Sequence, residues 1–327
     1  MTRLQAVAGR SYPADPAETG LAIFIRWFGS HFARSTSLLE STSREGILHA
    51  TLSVGRRWET RVTLVNTLAP DATLPFEAAR AAIEQRLDVE GRSLALWAPR
   101  GGQLPATEPG LSEVALAVSE AKPLADGRLE VRRPVTLYLR RNSTTGSVIT
   151  VLGGLSAHWA QFTNRVPGSF SLNALELLRL PNNQEERDEL AERIVLAAGQ
   201  PEVDDTVTIA AEDVWTATEL DGGRSCVLGT PQPDNDETSA ALRRNIRKLL
   251  KDARASSPPP QAGSGTSALV VLGAATYSEE EKLSWALRGM DPTLYSGYDI
   301  IAVLADGIVK PLLEPARSTL PWDAPRA

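Results

Sequence analysis

The sequence predicts an α+β fold: a mostly antiparallel sheet with packed helices, and a C-terminal β-α-β-β unit that joins or borders it. Three observations predict it. Short runs of alternating apolar residues recur between positions 45 and 155. A helix with signals at both ends stands in the middle of the chain. The last 60 or so positions read as strand, helix, strand and hairpin return.

Leu21, Phe24, Ile25, Phe28 and Phe32 recur at helical spacing, which predicts an amphipathic helix; a buried strand over 21–28 is the alternative. Residues 47–54 and 59–65 alternate as strands do, and Gly55-Arg56-Arg57 between them suits a hairpin loop. Residues 74–87 read as a helix with Pro75 in its first turn and Phe76, Ala79, Ile83 and Leu87 on one face. Residues 93–97 read as a short strand, 114–118 as a small apolar run, and 128–131, 135–139 and 147–152 as further strands.

Asn183 can cap a helix over 183–198, with Glu186 three residues on and Gly199 past its end. Residues 206–209 are rich in β-branched side chains and read as a strand. A second amphipathic helix covers 237–252, with Leu242, Ile246, Leu249 and Leu250 as its apolar stripe. The composition then becomes Pro-, Gly- and Ser-rich. The expected organisation is a main domain over 1–252, a linker over 253–267 and a C-terminal unit over 268–327. That last unit is too small to stand well alone, so its strands are expected in the main sheet.

The chain has 327 residues, 42% of them hydrophobic, which is enough for a sizeable core without metals or disulfides. Its net charge of -6 argues against an overall nucleic-acid-binding footprint and leaves only a local one. Cys226 is the single cysteine, so no internal disulfide and no Cys/His zinc set can form. These features, the absence of an apolar leader and the lack of a membrane-length apolar run suit a cytoplasmic protein. The Ala, Arg and Leu enrichment has a bacterial character.

Four stretches carry candidate chemistry. Glu120-Ala121-Lys122 follows an apolar run, as the Glu-x-Lys of restriction-type metal-dependent nucleases follows a strand. There Glu120 would hold a divalent cation and Lys122 would stabilise charge at phosphate, with Glu108, Glu113 or Asp88 as a further ligand. The alternative is a solvated loop. Residues 153–170 concentrate His158, Trp159, Phe162 and Arg165, which suit an aromatic and cationic surface for a protein partner. Ser156 with His158 would be the hydrolase reading, but no carboxylate is evident to orient the imidazole. A structured loop plugging the core is the plainer reading.

Arg243, Arg244, Arg247, Lys248, Lys251 and Arg254 place six cations within 12 positions. They suit phosphate contacts, although a solvated helix face would look the same. Gly273 ends a strand before a helix, but Glu279, Glu280 and Glu281 in the expected first turn would repel a phosphate, which excludes a nucleotide there. No nucleotide-cofactor motif and no Cys/His zinc spacing occur; the acidic pairs Asp204-Asp205 and Glu212-Asp213 could hold a divalent cation but read as solvated loop charges. The functional expectation is a non-enzymatic interaction component of a bacterial multi-protein assembly, in a genome-defence or nucleic-acid-associated setting. It would have a protein partner, nucleic acid as a second candidate partner, and no membrane. The alternative is a divalent-metal-dependent nuclease using Glu120 and Lys122.

Overall fold

A computed structural model describes residues 12–44, 46–68, 74–88, 92–99, 101–153, 165–230, 239–256, 265–273, 287–316 and 319–322. Among them the elements run α1 Pro16–His31, β1 Thr36–Arg44, β2 Ile47–Val54, β3 Trp58–Asn66, α2 Leu74–Leu87, β4 Leu94–Trp97 and α3 Gly110–Ser119. They continue β5 Lys122–Pro123, β6 Leu129–Ser143, β7 Ser147–Leu152, β8 Gly168–Asn173, α4 Gln184–Ala198 and β9 Thr206–Glu219. The last are β10 Cys226–Leu228, α5 Ser239–Ser256, β11 Thr266–Leu272, β12 Ile300–Ala305 and β13 Ile308–Leu313. The fold is α+β with mixed sheets. The chain divides into two compact units, Met1–Arg100 with Thr218–Ala327, and Gly101–Ala217.

The first unit is built on a sheet ordered β1-β2-β3-β11-β12-β13. The first three strands form an antiparallel meander, β11 runs parallel to both β3 and β12, and β13 returns antiparallel. The C-terminal strands therefore complete the sheet that the N-terminal ones begin. Helix α1 starts where the Asp15 carboxylate accepts the Ala17 N–H and Pro16 presets the first turn. Its face of Leu21, Phe24 and Phe28 packs on Leu48, Leu52, Leu64, Val270 and Ala302. Burying Phe24 and Phe28 stabilises the unit by roughly 1.5–3 kcal/mol each.

Helix α5 covers the opposite face of that sheet. Ile246, Leu250 and Ala253 pack against Val65, Leu269, Val271, Ile301 and Val303. The two apolar strands β11 and β12 thus bury both faces, which is why they read as continuous apolar runs and not as alternating ones.

In the second unit β6 pairs antiparallel with β9 on one side and with β8 on the other, β7 adds parallel to β8, and β5 pairs β6. Helix α4 begins at Asn183, whose side chain accepts the Glu185 N–H. It packs Leu190 and Ile194 on Leu137, Leu139, Phe170, Leu172 and Ile209.

Several expectations need correction. The apolar run 114–118 is the helix α3, with Val114, Ala117 and Val118 buried at i, i+3 and i+4. The two strands expected over 128–131 and 135–139 are one, β6, which runs from Leu129 with Pro134 inside it. Pro134 lacks an N–H, and on the side away from β9 it falls between the residues that pair with β5 and those that pair with β8. The strand at 206 runs on to Glu219, and β1 and β10 were not foreseen. Helix α5 continues to Ser256 and β11 starts at Thr266, so the expected linker is shorter at both ends. The helix expected over 278–289 lies mostly outside the described residues.

Candidate nucleic-acid interface

Helix α5 divides its cations into two sets. Arg243 donates to the Arg288 carbonyl and Arg254 donates to the Thr293 carbonyl, which ties the turns 287–294 alongside the helix. Between these two anchors Arg244, Arg247, Lys248 and Lys251 are exposed. At 3.6 residues per turn those four lie within a sector roughly 100° wide and about 10 Å long. On the opposite side Ile246, Leu250 and Ala253 are buried. The apolar stripe holds the helix still while the cationic sector faces water. Arg243 and Arg254 therefore play a different part from the other four cations of the sequence-predicted set, and only a structure separates them.

Glu120 and Lys122 do not form the expected strand-end site. Glu120 caps the C-terminus of α3 through its backbone N–H to the Leu116 carbonyl. Lys122 opens the two-residue strand β5, where Glu130 is its register partner, and both Glu120 and Lys122 are exposed. Of the acids expected to help them, Glu108 accepts the Ser112 N–H at 3.1 Å. Asp88 accepts the Tyr12 hydroxyl at 2.5 Å and the Ser225 N–H at 2.8 Å. Among the described residues no group of three or more His, Cys, Asp or Glu side chains is placed to hold a metal ion.

Ser156, His158, Trp159 and Phe162 lie outside the described residues. Arg165 is exposed and forms an ion pair with Glu192 on α4, 2.7 Å from Nη1 to Oε1. That pair holds the Arg165 guanidinium above its ordinary range and the Glu192 carboxyl below its own, chiefly through the hydrogen bond between them.

Two buried polar networks were not visible in the sequence. In the first unit Arg80 and Glu84 of α2 and Asp88, the residue just past its end, follow at four-residue steps. Glu84 accepts the Ala14 N–H at 2.6 Å and the Val227 N–H at 2.9 Å, and sits 3.4 Å from Arg80. Arg80 donates to the carbonyls of Val227 and Ala14. The helix thus satisfies the outer edge of β10 with side chains. Burial pushes the Glu84 carboxyl up, against the pull of the two N–H groups and Arg80. The Cys226 thiol is pushed up to about 12 by burial and by Glu84, so it is an inert core group, as its sequence context suggests.

In the second unit Asp213 accepts the N–H groups of Leu178 and Arg179 and the Trp215 indole N–H, at 2.7 to 2.8 Å. Its sequence neighbourhood reads as a solvated acidic pair, but Asp213 is buried and its carboxyl is raised by desolvation. The signal that was present is Asp213-x-Trp215, which strand periodicity places on one face. Arg132 gathers Glu130, Glu186 and Glu212 and fastens α4 to the sheet. Partial burial works against its charge, but the hydrogen bonds to Glu130 and Glu186 outweigh that and raise the guanidinium.

Among the described residues the cationic sector of α5 is an exposed cluster of like charge, on a mixed α+β framework. Comparison with protein-family models, with curated proteins and with solved structures finds no match for this chain. No described helix is long and apolar enough to cross a membrane.

Proposed function

We propose that this chain is an interaction component of a nucleic-acid-associated assembly, and that α5 holds the phosphate backbone through Arg244, Arg247, Lys248 and Lys251. The observation that carries this reading is the exposure of four cations on a helix whose apolar side is already buried. A membrane surface suits it less, because an interfacial helix needs its apolar face available for lipid. The described part of α5 displays no aromatic ring for base stacking, which favours a duplex over a single strand. Contact by charges to phosphates implies weak sequence preference. The chain's net charge of -6 makes the attraction local to this helix. A reducing, cytoplasmic setting belongs to the same proposal and agrees with the buried thiol of Cys226.

The test is fluorescence anisotropy with a labelled DNA duplex, titrated against salt. The expected result is an affinity that falls steeply with salt, with a log–log slope of about 3 to 4 if all four cations meet phosphates. The Arg247→Glu/Lys248→Glu variant is expected to weaken binding at least tenfold and to lower that slope by about 2. Unchanged affinity in this variant, with its fold retained, overturns the reading.

A further inference from the structure

Four strands end a sheet among the described residues: β1, β13, β10 and β7. An open edge is a template for another strand, so each is expected to carry some protection. β10 is capped by the side chains of Arg80, Glu84 and Asp88. β13 contains Pro311 and Lys310. β1 carries Glu40 and Arg44, and its pairing with β2 is irregular between Leu38 and Glu40. Among the described residues β7 shows none of these devices. Its residues are Ser147-Val148-Ile149-Thr150-Val151-Leu152, without charge or proline, and its pairing with β8 has no bulge. It also exposes Val148 by 58% and Leu152 by 53%.

The residue order of β7 is self-complementary. Val148, Thr150 and Leu152 point to the open face of the sheet, while Ile149 and Val151 pack partly on the α4 side. Antiparallel pairing of two such strands about a two-fold axis through Thr150 keeps like faces together. It sets Val148 of one copy against Leu152 of the other, Ile149 against Val151, and Thr150 against itself. Every cross-strand pair is then apolar or hydroxyl, and no like charges meet. Centring on Ile149 also keeps like faces together, but it sets Val148 against Thr150 and Ser147 against Val151 and leaves the apolar Leu152 outside the pairing; centring on Thr150 matches apolar with apolar and leaves only Ser147 outside it.

We propose that β7 pairs antiparallel with β7 of a second copy of this chain, about a two-fold axis at Thr150, and joins their sheets edge to edge. A closed, isologous contact of this kind stops at two copies, because each uses up the edge of the other. The inference is independent of the α5 reading.

The test uses the full chain with Thr150→Cys. Directly opposed Cα atoms in an antiparallel pair lie about 4.5 to 5.5 Å apart, within the roughly 4.4 to 6.8 Å span of a disulfide. Mild oxidation is therefore expected to give a covalent dimer. The wild type is expected to stay uncross-linked, since Cys226 is buried with its thiol pushed up to about 12. Leu38→Cys on β1 is the control and is expected not to cross-link. Light scattering is expected to show a wild-type dimer and a folded Thr150→Lys monomer. A wild-type monomer at the highest workable concentration overturns the proposal. So does a dimer that Thr150→Lys leaves intact, or a Thr150→Cys chain that does not cross-link. If Thr150→Lys fails to fold, the cross-link decides.

Discussion

Glu84 shows how one side chain couples the chemistry of the interior to solution pH. It is fully buried, and desolvation raises its carboxyl above the ordinary value of 4.5. A group whose folded value is raised binds its proton more tightly in the folded state. Its stabilising contribution is complete below 4.5 and is lost as pH rises through the higher folded value. Removing the side chain also strands two buried N–H groups and takes one of two carboxylates from Arg80, which keeps Glu77. Glu84→Ala is therefore expected to cost about 3–5 kcal/mol, and the gap to wild type should be widest below pH 4.5 and narrow above it. Urea denaturation of both proteins across the acidic range checks the sign, and a gap that widens with rising pH contradicts it. Asp213 is raised for the same reason, so Asp213→Asn should show the same trend. At this scale the sequence was least legible. Nothing in a run of letters shows that Glu84 and Asp213 are enclosed while Glu212, beside Asp213, is half exposed. Burial of a charge is decided by which elements close over it.

Elements were legible where local signals and packing agree. α2 and α4 were readable from Pro75, Asn183 and Gly199, and the β2–β3 hairpin from Gly55, which lies at φ 62°. α3 was not, because five apolar letters fit a short strand as well as one helical face. β1 was missed because nearly all its residues are exposed on both faces, so no alternation exists to read. The same logic gives a prediction for α1. A Cβ on Gly20 would sit 3.1 Å from Leu272 Cδ2 and 3.4 Å from Leu64 Cδ1. Gly20→Ala gains helix propensity of about 1 kcal/mol, offset by a shift of these flexible tips, and should be near neutral. Gly20→Val overfills the contact and should destabilise by about 1–3 kcal/mol. In the second unit Ile194→Ala, at a fully buried position, should cost about 2–5 kcal/mol. Chemical denaturation ranks the three variants, and a Gly20→Val protein as stable as wild type would show that α1 can lift from the sheet.

At the scale of the whole molecule, residue periodicity foretold the α+β class, and the run of cations at 243–254 foretold a local basic stripe in an acidic chain, which α5 carries. Composition could not foretell which sheet edges are guarded, because that depends on strand order, and strand order comes from contacts far apart in sequence. β3 and β11 are neighbours though about two hundred positions separate them. Edge exposure then has a thermodynamic consequence. If β7 joins two copies, association stabilises the folded state by mass action, by about 0.7 kcal/mol per chain for each tenfold rise in concentration well above the dissociation constant. The melting temperature of the wild type should climb with protein concentration, and that of folded Thr150→Lys should not. Reversing the charges on α5 should leave both curves in place, because exposed cations away from packed contacts change stability by within about 0.5 kcal/mol. Calorimetry over a hundredfold concentration range separates the two surfaces: a slope that follows β7 and ignores α5 assigns self-association to the strand edge and not to the helix.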